Sequence, residues 1–328
     1  IGTMVIVLKP KNPFLKEVFQ LLYDNDEVDI MVITVPMASY DLKSAGYPMG
    51  GSLAFAQRIE KRYLETGGII HYKTPVLKVV TDDKSVTSII VRNNVIYESD
   101  YLISAGDWHH TIFELLAGKF ATPLQLDLKN LKKLQPFFSS IQASFGVNKD
   151  LTGRSHFSRF PLEENLVSPD GTVYERFEIH NYSYDPTMAP PGKTCLVTNF
   201  YTSKADYWID HRKKNRTDYR ALKSEFLNKC AAIVCKKLDL LPEDIEVMDL
   251  STPATFHRYT GNWKGSTQGW LAGKNLLAPS PVKLRVPGLD NMFLCSHWNQ
   301  PGGGLPIAIK TGRDLAMLLC KENGVRFK

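Results

Sequence analysis

Met292-Phe-Leu-Cys-Ser-His-Trp-Asn-Gln-Pro-Gly-Gly-Gly-Leu-Pro-Ile-Ala-Ile-Lys-Thr-Gly312 decides how this chain is read. Met292 to Ser296 is an apolar run of strand length, and His297 to Gly304 is rich in turn residues. Pro306 to Lys321 sets Ile307, Leu315, Leu318 and Leu319 at helical spacing. A strand, a glycine turn and a helix are expected in that order. Three consecutive glycines let the backbone approach a ligand with no Cβ in the way, and the helix behind them offers unpaired N–H groups and the positive end of its dipole. Such a bend suits an electron-rich group; the other reading of the same residue types is a surface loop that caps a helix.

Working outward, Tyr101 to Leu116 has the same order in weaker form: a strand ending at Ser104, an Ala105-Gly106 turn, and Asp107 capping a helix over Thr111 to Leu116. Short β-branched runs at 69–72, 76–81, 86–92, 95–97 and 101–104 predict a small antiparallel meander, with hairpin turns at Asp82-Asp83-Lys84 and Asn93-Asn94. Alternation in Ile141–Val147, Val173–Tyr182 and Cys195–Thr202 implies a second sheet. Leu222, Phe226, Cys230, Ile233 and Val234 mark an amphipathic helix to cover it. Near the N-terminus, Asn12-Pro13 opens a helix, and the loop Gly46 to Ser52 feeds another, with Ser52 as a candidate N-cap. Arg258, Tyr259, Trp263 and Trp270, spaced by Gly261, Gly265 and Gly269, form an aromatic loop that can line an apolar tunnel or pack a core.

Composition narrows the class. A chain of 328 residues is long enough for two lobes, and 16 Phe, 14 Tyr and 5 Trp can build both cores and an apolar cavity. The net charge of +6 is spread along the chain, and the runs Lys132-Lys133, Arg212-Lys213-Lys214 and Lys236-Lys237 read as solvated helix faces. No nucleic-acid partner is expected. Five cysteines without a CxxC pair fit a reducing, cytoplasmic setting. Met4–Leu8 and Ile30–Val35 are too short to cross a bilayer, and Ile1–Leu8 has no basic leader, so neither a membrane span nor a targeting peptide is expected; attachment to a membrane surface stays open. The adjacent pair His109-His110 lacks a third ligand at metal-like spacing, so no metal is expected. His297, just before the glycines, suits either a ligand-facing role or a structural one.

The strings Tyr47-Pro-Met-Gly-Gly-Ser52, Asp100-Tyr-Leu-Ile-Ser-Ala-Gly-Asp-Trp108, Arg258-Tyr-Thr-Gly-Asn-Trp263 and Pro287-Gly-Leu-Asp-Asn-Met-Phe-Leu294, running on to Gly304, resemble the phytoene desaturase and carotenoid isomerase-related family of FAD-dependent oxidoreductases. The flavin amine oxidases are similar at a greater distance. The order of the strings matches over roughly residues 45–328. The resemblance implies an α/β (α+β) architecture, with a Rossmann-like FAD lobe assembled from separated segments and a substrate lobe whose sheet is covered by helices. Its expected division is 1–46 as a helical segment of the substrate lobe, 47–116 as part of the FAD lobe, 117–284 as the substrate lobe and 285–328 as the C-terminal part of the FAD lobe.

By the same resemblance, Val76 lies on a strand meeting the adenine. Ser104, Ala105, Gly106 and Asp107 form a strand-end turn near FAD, and Trp298, Gly302, Gly303, Gly304, Leu305, Pro306 and Ile307 hold the ribityl chain and isoalloxazine. Tyr47, Gly50, Gly51, Tyr259, Trp263 and Trp270 are expected to line the substrate site. The implied reaction is hydride transfer between an apolar, polyene- or isoprenoid-like substrate and flavin N5, for which the sequence shows no catalytic dyad. A flavin at the bend would have the helix terminus stabilising the negative charge that reduction places at N1 and O2. Two other readings stand beside it: an amine-oxidase-like enzyme on a polar substrate, and an inactive fragment. The second arises because the strand, G-x-G-x-x-G turn and acidic residue that cradle the pyrophosphate in this family are missing from the sequence, so the chain is expected to be truncated upstream. Oligomeric state is not legible in the sequence.

Overall fold

The computed structural model describes residues 7–8, 10–23, 28–132, 134–271 and 282–327. Most of the Met4–Leu8 run, Lys133, and residues 272–281 of the expected substrate lobe lie outside them. The fold is mixed α/β. In chain order the elements are β1 (Val7–Leu8), α1 (Pro13–Tyr23), β2 (Val28–Asp29), α2 (Ile30–Asp41), α3 (Gly51–Glu65), β3 (Val76–Thr81), β4 (Val86–Val91), β5 (Ile96–Glu98) and β6 (Leu102–Ser104). They continue with α4 (Pro123–Lys129), β7 (Ser139–Val147), β8 (Phe157–Val167), β9 (Val173–Asn181), β10 (Thr194–Thr202), α5 (Ala205–Lys214), α6 (Arg216–Leu238), β11 (Ile245–Ser251), α7 (Pro253–Thr260), β12 (Met292–Leu294) and α8 (Gly304–Glu322).

Two compact units share these elements: residues 1–70, 141–200 and 211–251 in one, and 71–140, 201–210 and 252–328 in the other. The expected division put 47–116 with 285–328. The units instead place 47–70 with the large sheet, and 117–140 and 252–284 with the C-terminal helix.

The first unit is built on a five-stranded sheet of order β11-β7-β10-β9-β8. Alternation along β7 buries Ile141, Ala143, Phe145 and Val147 on one face. The helix α6 turns its buried Phe226, Cys230 and Val234 inward, and Phe200 packs edge-on between Phe177 (ring centroids 5.4 Å apart) and Phe226 (5.6 Å). Asn12 caps α1 as expected, its Oδ1 accepting from Phe14 N at 2.9 Å. The cap at α3 differs from the expectation. Gly50, with φ 88°, takes that place and Ser52 lies inside the helix, because the Asp185 carboxylate accepts from Gly50 N at 2.8 Å and fixes the entry turn.

The second unit joins the antiparallel meander β3-β4-β5 to a parallel pair, β6 beside β12. The run at 69–72 forms no strand. Parallel neighbours need a long crossover, so these two short strands come from opposite ends of the unit's sequence. Asn291 fastens them to the meander: its Oδ1 accepts from Val86 N (2.7 Å), and its Nδ2 donates to Val86 O (2.9 Å) and Asp100 O (3.0 Å). The core contains Val79, Val86, Trp108, Ile112, Leu116, Met292, Leu294 and four further buried aliphatic residues, together with Trp270 and Trp298.

Candidate functional site

Ligands of open parallel α/β sheets bind beyond the carboxyl ends of the strands, where successive turns diverge into helices. The second unit has one such pair of ends. Leu294 of β12 lies opposite Ser104 of β6, and Cys295 N donates to Ser104 O at 2.9 Å, so the turns that follow the two strands leave side by side. One turn is Ser104-Ala105-Gly106-Asp107. The other runs from Cys295 through a 3₁₀ turn at His297–Asn299 to Gly302-Gly303-Gly304 and α8. Two segments that sequence reading linked only through a family resemblance are therefore neighbours in space.

All three glycines have positive φ: 88° at Gly302, 42° at Gly303 and 70° at Gly304. Gly303 also has ψ −147°, a corner of backbone space that only glycine tolerates. A Cβ there would lie 1.3 Å from the Gln268 carbonyl oxygen, whereas one on Gly302 would meet nothing within 4 Å. The bend is thus pressed against the 266–270 loop on one side and open on the other. No side chain caps α8, and Pro306 in its first turn has no N–H to satisfy.

Asp107 is nearly fully buried, and both its oxygens are engaged by backbone. Oδ1 accepts from His110 N and Oδ2 from Trp263 N, each at 2.8 Å. Burial is the largest influence on its carboxyl and raises the pKa; the two N–H groups act in the opposite direction. The predicted helix forms as a π-helix, His110–Leu115, and Ser104 Oγ reaches Thr111 Oγ1 at 2.7 Å. Ala105 and Gly106 remain exposed between these anchors.

Around the turns stand four indoles, Trp108, Trp263, Trp270 and Trp298, with neighbouring ring centroids 5.1–6.4 Å apart. Trp270 Nε1 donates to Trp298 O at 2.9 Å, and Trp298 Nε1 to Asn262 Oδ1 at 3.4 Å. Trp270 and Trp298 are fully buried. Trp263 is half-buried and stacks flat on His109, with centroids 4.9 Å apart. Burial, reinforced by Lys129, pulls the His109 pKa down to about 4. Of the other expected site residues, Tyr259 is exposed with the Arg258 guanidinium over its ring at 4.2 Å, and Val76 pairs with Val91 in the meander. Tyr47, Gly50 and Gly51 belong to the first unit, where Tyr47 packs against Tyr182 and Tyr184 (5.7 and 5.2 Å).

The turns bear on what they can hold. Trp108 Nε1 and His297 Nε2 are buried without a hydrogen-bond partner, a condition that costs about 1–3 kcal/mol each. Burial also lowers the His297 pKa, keeping its imidazole neutral. An open glycine, an uncapped helix start, an exposed Ala-Gly turn and unfilled polar valences together fit an electron-rich cofactor. Sequence reading missed Asn262 and Asn291, whose amides tie loops together; their only signal was a place next to a turn, which fits many roles.

No family model matches the chain. It is 24% identical over 316 residues to a 4,4'-diaponeurosporene oxygenase of Staphylococcus haemolyticus, covering 92% of this chain and 59% of that protein. It is 28% identical over 290 residues to the chloroplastic prolycopene isomerase of Daucus carota, covering 86% and 45%. A zeta-carotene-forming phytoene desaturase of Myxococcus xanthus is 24% identical over 282 residues, covering 81% and 51%. The chain is related to the carotenoid desaturases and isomerases. It spans about half the length of these curated relatives. Among solved structures, an oxidoreductase from Methanosarcina mazei is 16% identical with a TM-score of 0.48, covering 81% of this chain and 55% of that one. A putrescine oxidase is 13% identical with a TM-score of 0.46, covering 82% and 53%. Among the described residues no helix is long and apolar enough to cross a membrane, and no group of His, Cys, Asp or Glu is arranged to hold a metal.

Proposed function

We propose that this chain carries the isoalloxazine-binding part of an FAD-dependent oxidoreductase that moves hydride to or from a carbon of an apolar, polyene- or isoprenoid-like substrate. The observation that carries this reading is the pairing of the Ser104–Asp107 turn with the Gly302–Gly304 bend at the carboxyl ends of parallel β6 and β12. Homology to carotenoid-modifying enzymes supports the substrate class.

In this reading Gly302, Gly304 and Leu305 offer backbone to the flavin's pyrimidine edge, while Ala105 and Gly106 meet it from the neighbouring turn. When bound, the flavin supplies the hydride-accepting N5. The chain's own part is to bind, to orient and to stabilise: the start of α8 favours negative charge, and the buried indoles keep the turns rigid and dry. Such chemistry depends on positioning more than on an acid–base pair, which agrees with the neutral state of His297.

The test is to titrate the purified chain with FAD and follow absorbance near ~450 nm, an ordinary flavin property, then to add a polyene anaerobically. Bleaching by the polyene supports the reading. Peroxide formation with amines points instead to an amine-oxidase-like enzyme, and a chain that never binds flavin points to a fragment without catalysis.

A further inference from the structure

The 262–270 loop lies across both strand-end turns, and its attachments form a chain of hydrogen bonds. On one side Trp263 N donates to Asp107 Oδ2 (2.8 Å). On the other, Asn262 Oδ1 accepts from Trp298 Nε1 (3.4 Å), Trp270 Nε1 donates to Trp298 O (2.9 Å), and Gly302 N donates to Trp270 O (3.2 Å). Asn262 is itself held, its Nδ2 donating to Ser266 O (3.2 Å) and its carbonyl meeting His257 Nδ1 (3.1 Å). Among these attachments Asp107 supplies the one carboxylate. With both oxygens on backbone N–H groups it has no acceptor capacity aimed at a ligand beyond its second lone pairs. Contact with the cofactor is thus the lesser role for it, although the family resemblance suggested that one.

We infer that Asp107 is a positioning residue: its carboxylate staples the Ala105-Gly106 turn to the 262–270 loop, against which the glycine bend is pressed, and so sets the spacing of the two walls that hold the flavin. The inference rests on the flavin reading above for its ligand, though not for the staple itself. Two N–H donors require two acceptors. A carboxamide replaces one of them by an NH₂ that faces an N–H, so D107N keeps only one of the two bonds. Of the charged groups around it, His110 lies on its own helix, and Lys129, Glu114 and Lys264 act on the neighbouring His109 rather than on Asp107 itself. Lys264 is engaged with Asp206 at 2.5 Å.

The experiment compares the full chain with D107N by two readouts. Hydrogen exchange of the 258–271 and 300–307 peptides and the FAD dissociation constant, the latter by flavin fluorescence, are measured at neutral pH. The staple predicts exchange faster by about tenfold in both peptides of D107N, the scale of one lost buried hydrogen bond, with the β9 peptide unchanged. It also predicts FAD affinity weaker in D107N than in the wild type. If D107N fails to fold, D107E decides, because a carboxylate one methylene longer still offers two acceptors but shifts the turn, and must change FAD affinity while the β9 peptide stays unchanged. Loosening of 258–271 with 300–307 and FAD affinity untouched overturns the positioning role. If the wild-type chain binds no FAD, the flavin reading fails, and exchange in 300–307 still decides whether the staple reaches the bend.

Discussion

Replacing Gly303 by alanine separates the two jobs of the glycine bend. At φ 42° and ψ −147° an L-residue is strained by about 1–3 kcal/mol whatever surrounds it. The added methyl would also lie 1.3 Å from Gln268 O, a backbone atom that cannot swing aside. Relief needs the bend to lift off the 266–270 loop, which breaks the bond from Gly302 N to Trp270 O and exposes part of the indole core, for a further 1–3 kcal/mol or so. The sum, roughly 2–6 kcal/mol, is a large share of the 5–15 kcal/mol that typically holds a domain together. Gly302→Ala is the control. Its φ of 88° costs about 1–2 kcal/mol, but its methyl meets nothing within 4 Å. Urea unfolding followed by tryptophan fluorescence should show G303A losing several times more stability than G302A, and flavin titration should show G302A impaired while folded. Equal stability of the two variants would refute the argument, since it would mean that the close approach to Gln268 is not enforced.

Three further outcomes follow from the same geometry. Asn291→Ala removes three bonds to Val86 and Asp100 and should lower stability by about 2–4 kcal/mol in urea unfolding, with exchange accelerated in β4. Trp270→Phe keeps an aromatic ring but removes both the N–H that reaches Trp298 O and part of a fully buried indole, so a loss of about 2–5 kcal/mol is expected, readable in the same assay. His109, with its pKa pulled down to about 4, stays neutral in the folded chain while an unfolded histidine protonates near 6.5. Its contribution is therefore present above about pH 6.5 and lost as pH falls from there toward 4. Denaturation midpoints at pH 7 and 5 should differ more for wild type than for H109F, whose ring keeps the stack on Trp263.

Much of the site was legible in the sequence because glycine needs a reason to recur. Gly302 to Gly304 announced a bend, and Asp107 announced a cap; both formed where expected. Alternation in 141–147, 173–182 and 195–202 likewise located β7, β9 and β10, the inner strands, where one face is buried and the pattern is enforced. The strands that escaped notice, β8 and β11, are the sheet's two edges. There Pro161, Glu163, Glu164 and the charged Glu246 and Asp249 interrupt the apolar pattern, as edges tolerate and interiors do not. Trp263 and Trp270 show the converse difficulty. An indole looks the same in a sequence whether it lines a cavity or fills a core, and only its neighbours show that Trp270 is fully enclosed.

Asn291 and its partner Val86 stand 205 residues apart along the chain. At about 5–20 residues per second of synthesis, the meander waits on the order of 10–40 s for the asparagine that fastens it. During that interval the end of β6 has no parallel neighbour, and a holding chaperone or a bound metabolite would meet only half of the pair of turns. The pair of turns is accordingly completed only after β12 has been made, and a ribosome stalled before residue 291 should release a polypeptide that is folded in its large sheet but has only one of the two turns.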